Sequence, residues 1–190
     1  MTAVDGPTGL LSRALAQTAG VIDGAGVELA EHPTPCASWD VADLISHLLH
    51  DLRQFTVRAE GGQPDWSQPF ERVEEEWLHV FEAGAERLVA AWRTAGAASA
   101  GAALDQQTAE FAVHAWDLAR ATAQSTEGLD HEVAIAALAW AHGALKPEFR
   151  GAEAEHHAFG PEVEAPEDAP AYDRLAAFFG RDPHWPAHDA

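Results

Sequence analysis

Apolar residues recur at helical spacing in five stretches of this chain, and no two stretches alternate as paired strands would. The first runs from about Pro7 to Asp23, with Leu10, Leu11, Leu15, Val21 and Ile22 in a loose helical pattern that Gly24 and Gly26 close. HPTPCASWD reads as a loop with two prolines, in which Ser38 is the expected N-cap and Asp40 falls in the first turn of the next helix. That second helix gathers Val41, Leu44, Ile45, Leu48, Leu49, Leu52 and Phe55 on one face and ends at Gly61 and Gly62. A third is expected from about Phe70 to Ala95, with Val73, Trp77, Val80, Phe81, Leu88, Val89 and Trp92 along one broad side. A fourth covers about Thr108 to Gln124, after a small-residue connection in which it can begin. The fifth, HEVAIAALAWAHGALK, stops at Pro147.

The acidic, proline-rich segment that follows lacks periodicity and is expected to wrap the body as extended chain. A short amphipathic helix, YDRLAAFFG, comes after it. These elements predict an all-α four-helix bundle with a short extra C-terminal helix. The expected division is a helical bundle over 1–146 and an extension over 147–190 that packs on it. Abundant alanine and few β-branched residues agree with helix over sheet.

Charge narrows the partners. The chain carries 31 acidic residues against 11 lysines and arginines, a formal net charge of -20. Such a surface repels phosphate backbones and anionic headgroups, so neither nucleic acid nor a membrane is an expected partner. Cys36 is the only cysteine, which rules out an intrachain disulfide and fits a reducing compartment. The N-terminal residues show no basic stretch followed by an apolar one, and no apolar run approaches the length of a membrane span. A cytoplasmic location is the expectation.

The chemistry rests on eleven histidines. An acid four residues before a histidine puts both side chains on one helix face, where they can share an ion. Chance placement predicts roughly two such pairs, and the chain has six: Glu28/His32, Asp43/His47, Glu75/His79, Glu110/His114, Glu127/His131 and Glu153/His157. Helix phase selects among them. At about 100° per residue, His47 lies about 60° from Leu44, on the edge of the apolar face, while His50 points away toward solvent. On the fourth helix, Glu110, His114 and Asp117 form a stripe beside Phe111, Ala115, Leu118 and Ala119. Polar groups beside a core need a partner. A metal ion is one such partner, and a helix-to-helix salt bridge is the other.

TPCASWDVADLISHLLHDL resembles the second-helix signature of the DinB/YfiT-like superfamily, in the branch related to mycothiol-dependent maleylpyruvate isomerase. EFAVHAWDLARATAQ is similar to that branch's second signature, and FGPEVEAPEDAPAYDRLAAFFGRDPHW resembles the C-terminus of an actinobacterial metal-binding subgroup. The resemblance implies a four-helix bundle with one divalent ion between helices, held by His47, Glu110 and His114. Two histidines and one glutamate with an open position suit Zn²⁺, and Ni²⁺ or Fe²⁺ are further candidates. Asp117 is a candidate supporting group behind His114. The isomerases of this branch carry a further domain after the bundle, and this sequence is expected to end too soon to contain it. The resemblance therefore implies the metal site rather than that particular isomerisation.

The resemblance also implies the ligands: mycothiol or another small-molecule thiol, and a small electrophile to which it is transferred or on which it catalyses isomerisation. A homodimer is its default assembly. Metal-dependent hydrolysis and a non-catalytic metal- or small-ligand-binding module are the alternative readings. Cys36 precedes a helix N-terminus, a place that can activate a thiol, though burial is the commoner fate of such a residue. Trp39, Trp77, Trp92, Trp116 and Trp140 are expected mainly in the core, with one or two at a pocket mouth.

Overall fold

The computed structural model describes residues 8–96, 100–151 and 159–186. Among the described residues there are six α-helices and no strand: α1 (Gly9–Asp23), α2 (Val41–Ala59), α3 (Trp77–Ala95), α4 (Gly101–Ala121), α5 (His131–Ala144) and α6 (Ala171–Phe178). The first four close a ring, because α1 packs against α3 and α4 while α2 packs against α3 and α4. α5 lies on the outside of α4 and α1, and α6 on α5 and α4. The all-α bundle read from the sequence is the fold. No helix among the described residues is long and apolar enough to cross a membrane.

Everything leans on α4. Most of its 21 residues are buried, and its neighbours are α1, α2, α5 and α6. Ala109, Ala112, Ala115 and Ala119 are wholly inaccessible, and their small side chains let partner helices approach from several sides. The larger Phe111, Trp116 and Leu118 fill the gaps between them. A helix apolar nearly all round belongs at the centre of a fold, and the polar groups left on it then need a reason.

Boundaries differ from the sequence reading in three helices. The N-cap of α2 is Asp40, whose carboxylate accepts the Asp43 N–H at 2.8 Å, and not Ser38. Pairing holds the preceding loop extended, since Val41 N–H donates to His32 and Ala42 N–H to Ala30, so the helix has no earlier place to start. α3 begins at Trp77 instead of Phe70. Glu76 takes a left-handed φ of 58° and breaks the helix there. Val73 runs alongside α2 instead, where its N–H donates to Ser46 Oγ at 2.8 Å. Arg72 is drawn there too, pairing with Asp40 and Asp43. α4 reaches back to Gly101 through the small-residue stretch, and Ala123 at φ 55° ends the helical path before Gln124.

After α5, residues 159–170 run without helix, as expected for that segment, and α6 follows. α6 and the chain after it are tied to the bundle by polar contacts. Trp116 Nε1 donates to Asp173 at 3.0 Å, and the Arg120 guanidinium to the Trp185 carbonyl.

Candidate metal centre

Where α2 crosses α4, three side chains converge. His47 Nε2 lies 3.1 Å from Glu110 Oε1, and His114 Nε2 lies 3.0 Å from the same oxygen. The donor atoms of His47, Glu110 and His114 all fall within 4.8 Å of one another. Ligands about 2.0–2.2 Å from a zinc ion stand about 3 Å or slightly more apart, so the two measured edges suit a shared ion. Helix spacing explains the convergence: Glu110 and His114 are one turn apart on α4, and His47 occupies the edge of α2 that faces them. Trp39 and Phe70 wall the imidazoles, with ring centroids 4.5 and 6.1 Å from that of His47.

The electrostatics are those of a tight, partly dry cluster. Burial pushes His47 below the ordinary imidazole value, and its bond to Glu110 offsets only part of this. Burial also opposes charge on His114, yet Glu110 and Asp117 hold its pKa well above the ordinary one. Glu110 would be raised by burial alone, but the charge on His114 and hydrogen bonds from both rings keep it well below the carboxylate range. Behind the cluster, His114 Nδ1 lies 2.9 Å from Asp117 Oδ2. Asp117 is completely buried and is nevertheless held down to about 2 by Arg181 and His114. A carboxylate on the far nitrogen of a histidine orients the ring and raises its basicity toward a metal.

A second group, Cys36, His114 and Asp117, also has ligand-type atoms close together. Cys36 Sγ lies 3.2 Å from Asp117 Oδ2 and 3.9 Å from His114 Nδ1. The Arg181 guanidinium already stands there, 3.2 Å from the sulfur and 3.1 Å from Asp117 Oδ2. A fixed cation in contact with two of three donors disfavours a second one, so His47, Glu110 and His114 are the better match to an ion. Both groups border one pocket of about 530 Å³. Its walls are residues 35–39, then His47, Glu110, Val113 and His114, then residues 159–160 and 179–181.

Among the described residues, none of the remaining acid–histidine pairs joins a further cluster of metal-ligand type. Asp43 turns to Arg72, while Glu75, His79, Glu127 and His131 are exposed. Glu153 and His157 lie outside the described residues. His50, expected in solvent, is half-buried with its ring edge toward Trp66. Of the tryptophans, Trp77, Trp92 and Trp116 are core, Trp140 is half-buried, and Trp39 lines the pocket.

Two residues escaped the sequence reading. Arg181 sits on irregular chain that no periodicity could place. Asp51 was legible. It stands seven residues after Leu44, about 20° away on the helix, so it is an acid on the apolar stripe itself. Asp51 is 3% exposed, with Oδ2 3.5 Å from His47 Nε2. Burial raises its pKa well above the usual carboxyl value, and the charge on Glu110 adds to the effect.

Asp51→Asn keeps the shape while removing that ionisation. Unfolded aspartate ionises near pH ~4, whereas the folded carboxyl keeps its proton to higher pH. Wild-type stability therefore falls as pH rises above about 4, until the folded group also ionises. Ion-free Asp51→Asn is expected to melt above wild type at pH 7, with the gap closing toward pH 4. A lower Tm at pH 7 would show that the ionised carboxylate is the stabilising form.

The fold and this cluster together describe a helical bundle with a histidine–carboxylate centre between two helices. A profile of the mycothiol maleylpyruvate isomerase N-terminal domain matches residues 10–119, and the chain belongs to that family. It is similar to two uncharacterised proteins of Mycobacterium tuberculosis, Rv0738 of strain H37Rv and MT0763 of strain CDC 1551. Each is 33% identical over 155 residues, covering 78% of this chain and 83% of theirs. No solved structure matches it.

Proposed function

We propose that the protein binds one divalent ion through His47 of α2 and Glu110 and His114 of α4, and acts there on a small thiol and a small electrophile. The observation that carries this reading is the meeting of both Nε2 atoms on one Glu110 oxygen, 3.1 and 3.0 Å away, at the wall of an open pocket. Asp117 behind His114 strengthens it, since a structural ion pair has no need of a second carboxylate on the far nitrogen. Two imidazoles and one carboxylate suit Zn²⁺ best, with Ni²⁺ and Fe²⁺ as the next candidates.

A bound divalent ion supplies Lewis acidity, which makes a thiol or a water molecule acidic near neutral pH. The chain's own groups do the rest. Trp39 and Phe70 keep water from one side of the imidazoles. Asp51 stands buried beside His47, a carboxyl whose proton is held by burial and by the charge on Glu110. The loop over 35–39 and the chain over 159–160 and 179–181 shape the space left for a ligand. Thiol chemistry is preferred over hydrolysis because the family takes its name from a mycothiol-dependent enzyme.

The test is purification without chelator, metal quantification, and an assay of mycothiol addition or transfer to small electrophiles. Stoichiometric metal with thiol-dependent turnover supports the reading. Tight metal with no turnover across thiols and esters makes the protein a binding module. Absence of stoichiometric metal, even after incubation with zinc, reduces the cluster to a salt bridge between helices.

A further inference from the structure

Beyond the span matched by the family profile, the chain sends one side chain back to the metal centre. Arg181 follows α6 at a crossing of two backbones. Gly180 has φ +85°, and a Cβ there would meet Gly160 Cα at 2.8 Å and the Pro161 carbonyl at 2.9 Å. Only glycine fits. The crossing is secured on its other side by Arg150, whose guanidinium donates to the Gly160 and Phe178 carbonyls at 3.2 and 2.6 Å. Arg150 also lies 4.4 Å over the Phe178 ring. The direction in which Arg181 leaves this crossing is therefore set without help from the site.

The side chain is 13% exposed and fully engaged. Nη1 donates to the Phe179 carbonyl at 2.9 Å, which holds the planar group from behind. Nε reaches both Asp117 oxygens at 3.3 Å, and Nη2 reaches Oδ2 at 3.1 Å and Cys36 Sγ at 3.2 Å. A planar fork held at several points fixes the carboxylate plane, which a point charge does not. Asp117 in turn holds the His114 ring at Nδ1.

We propose that Arg181 is a positioning residue for the metal centre, gripping Asp117 so that the His114 ring presents Nε2 to the side shared with Glu110 and His47. This rests on the reading of His114 as a ligand. Its consequence is that the C-terminal extension belongs to the site, as both a pocket wall and a brace, and is more than a cover on the bundle.

The test compares Arg181→Gln and Arg181→Lys with Arg150→Gln, which loosens the same crossing without touching Asp117. Zinc affinity is read by competition with a chromophoric chelator. Ring orientation is read from the exchange-protected Nδ1 proton resonance of His114 in the metal-free protein. Both Arg181 variants are expected to bind zinc about tenfold to a hundredfold more weakly and to lose that resonance. Arg150→Gln is expected to keep both near wild type. Should Arg181→Gln fail to fold, Arg181→Lys keeps the charge and carries the comparison.

The proposal is overturned if the Arg181 variants retain the resonance and the affinity, or if Arg150→Gln matches their losses. If the wild type takes up no zinc, it is the ligand reading that fails, and the resonance alone then decides whether Arg181 orients the ring.

Discussion

Zinc uptake by His114→Ala is expected to fall by more than about a hundredfold, with the helical circular dichroism spectrum retained. The imidazole is one of the three proposed donors, and the two that remain are exposed enough to prefer water to a half-made site. The fold survives because Asp117 keeps its pairing with Arg181, so no buried charge is left alone. His50→Ala is the control on the same bundle. Its ring packs toward Trp66 and belongs to neither donor group, so uptake should not change. Equal losses from the two substitutions would place the ion elsewhere.

The same titration carries a proton signature. His114 in the ion-free protein holds a proton above the ordinary imidazole range, and that proton must leave before Nε2 accepts an ion. Uptake near pH 7 is therefore expected to release protons to the buffer and to tighten as pH rises. Calorimetry in buffers of different ionisation enthalpy reads this directly. Affinity that weakens with rising pH would contradict it.

Trp116→Ala is expected to cost about 3–5 kcal/mol, the largest stability loss among single truncations near the α4–α6 contact. Trp116 is 0% exposed, and its indole N–H donates to Asp173 at 3.0 Å, joining α4 to α6. Alanine removes the ring, leaves a cavity and breaks the link at once. Tm should drop on the order of 10 °C. Trp116→Phe refills most of the space and costs far less. Urea denaturation followed by circular dichroism measures both, and a loss under ~1 kcal/mol for the alanine variant would mean that the core collapses into the gap.

Periodicity made the bundle legible because α1, α2 and α4 bury contiguous faces, and apolar spacing records burial. It failed at ends governed by something else. α3 starts late because Arg72 and Val73 are claimed by α2 and Glu76 turns left-handed, none of which leaves a trace in hydropathy. At the centre, helix phase brought His47, Glu110 and His114 together and set His50 aside. Asp51 follows His47 by a turn, so the spacing of an acid four residues before a histidine does not reach it. Arg181 and Cys36 meet at Asp117 through chain that obeys no period, across separations of 64 and 81 residues. Only tertiary structure could join them.

The position of α4 has an evolutionary corollary. Two of the three proposed donors ride on the element that every neighbouring layer depends on, so exchanging them disturbs the architecture along with the chemistry. The pocket's other walls include irregular chain at 35–39, where Ala37 and Ser38 are exposed. Descendants of this scaffold can thus acquire new appetites by rewriting those walls while the inherited centre stays still. A randomised library aimed at acceptance of different small molecules belongs in the same places.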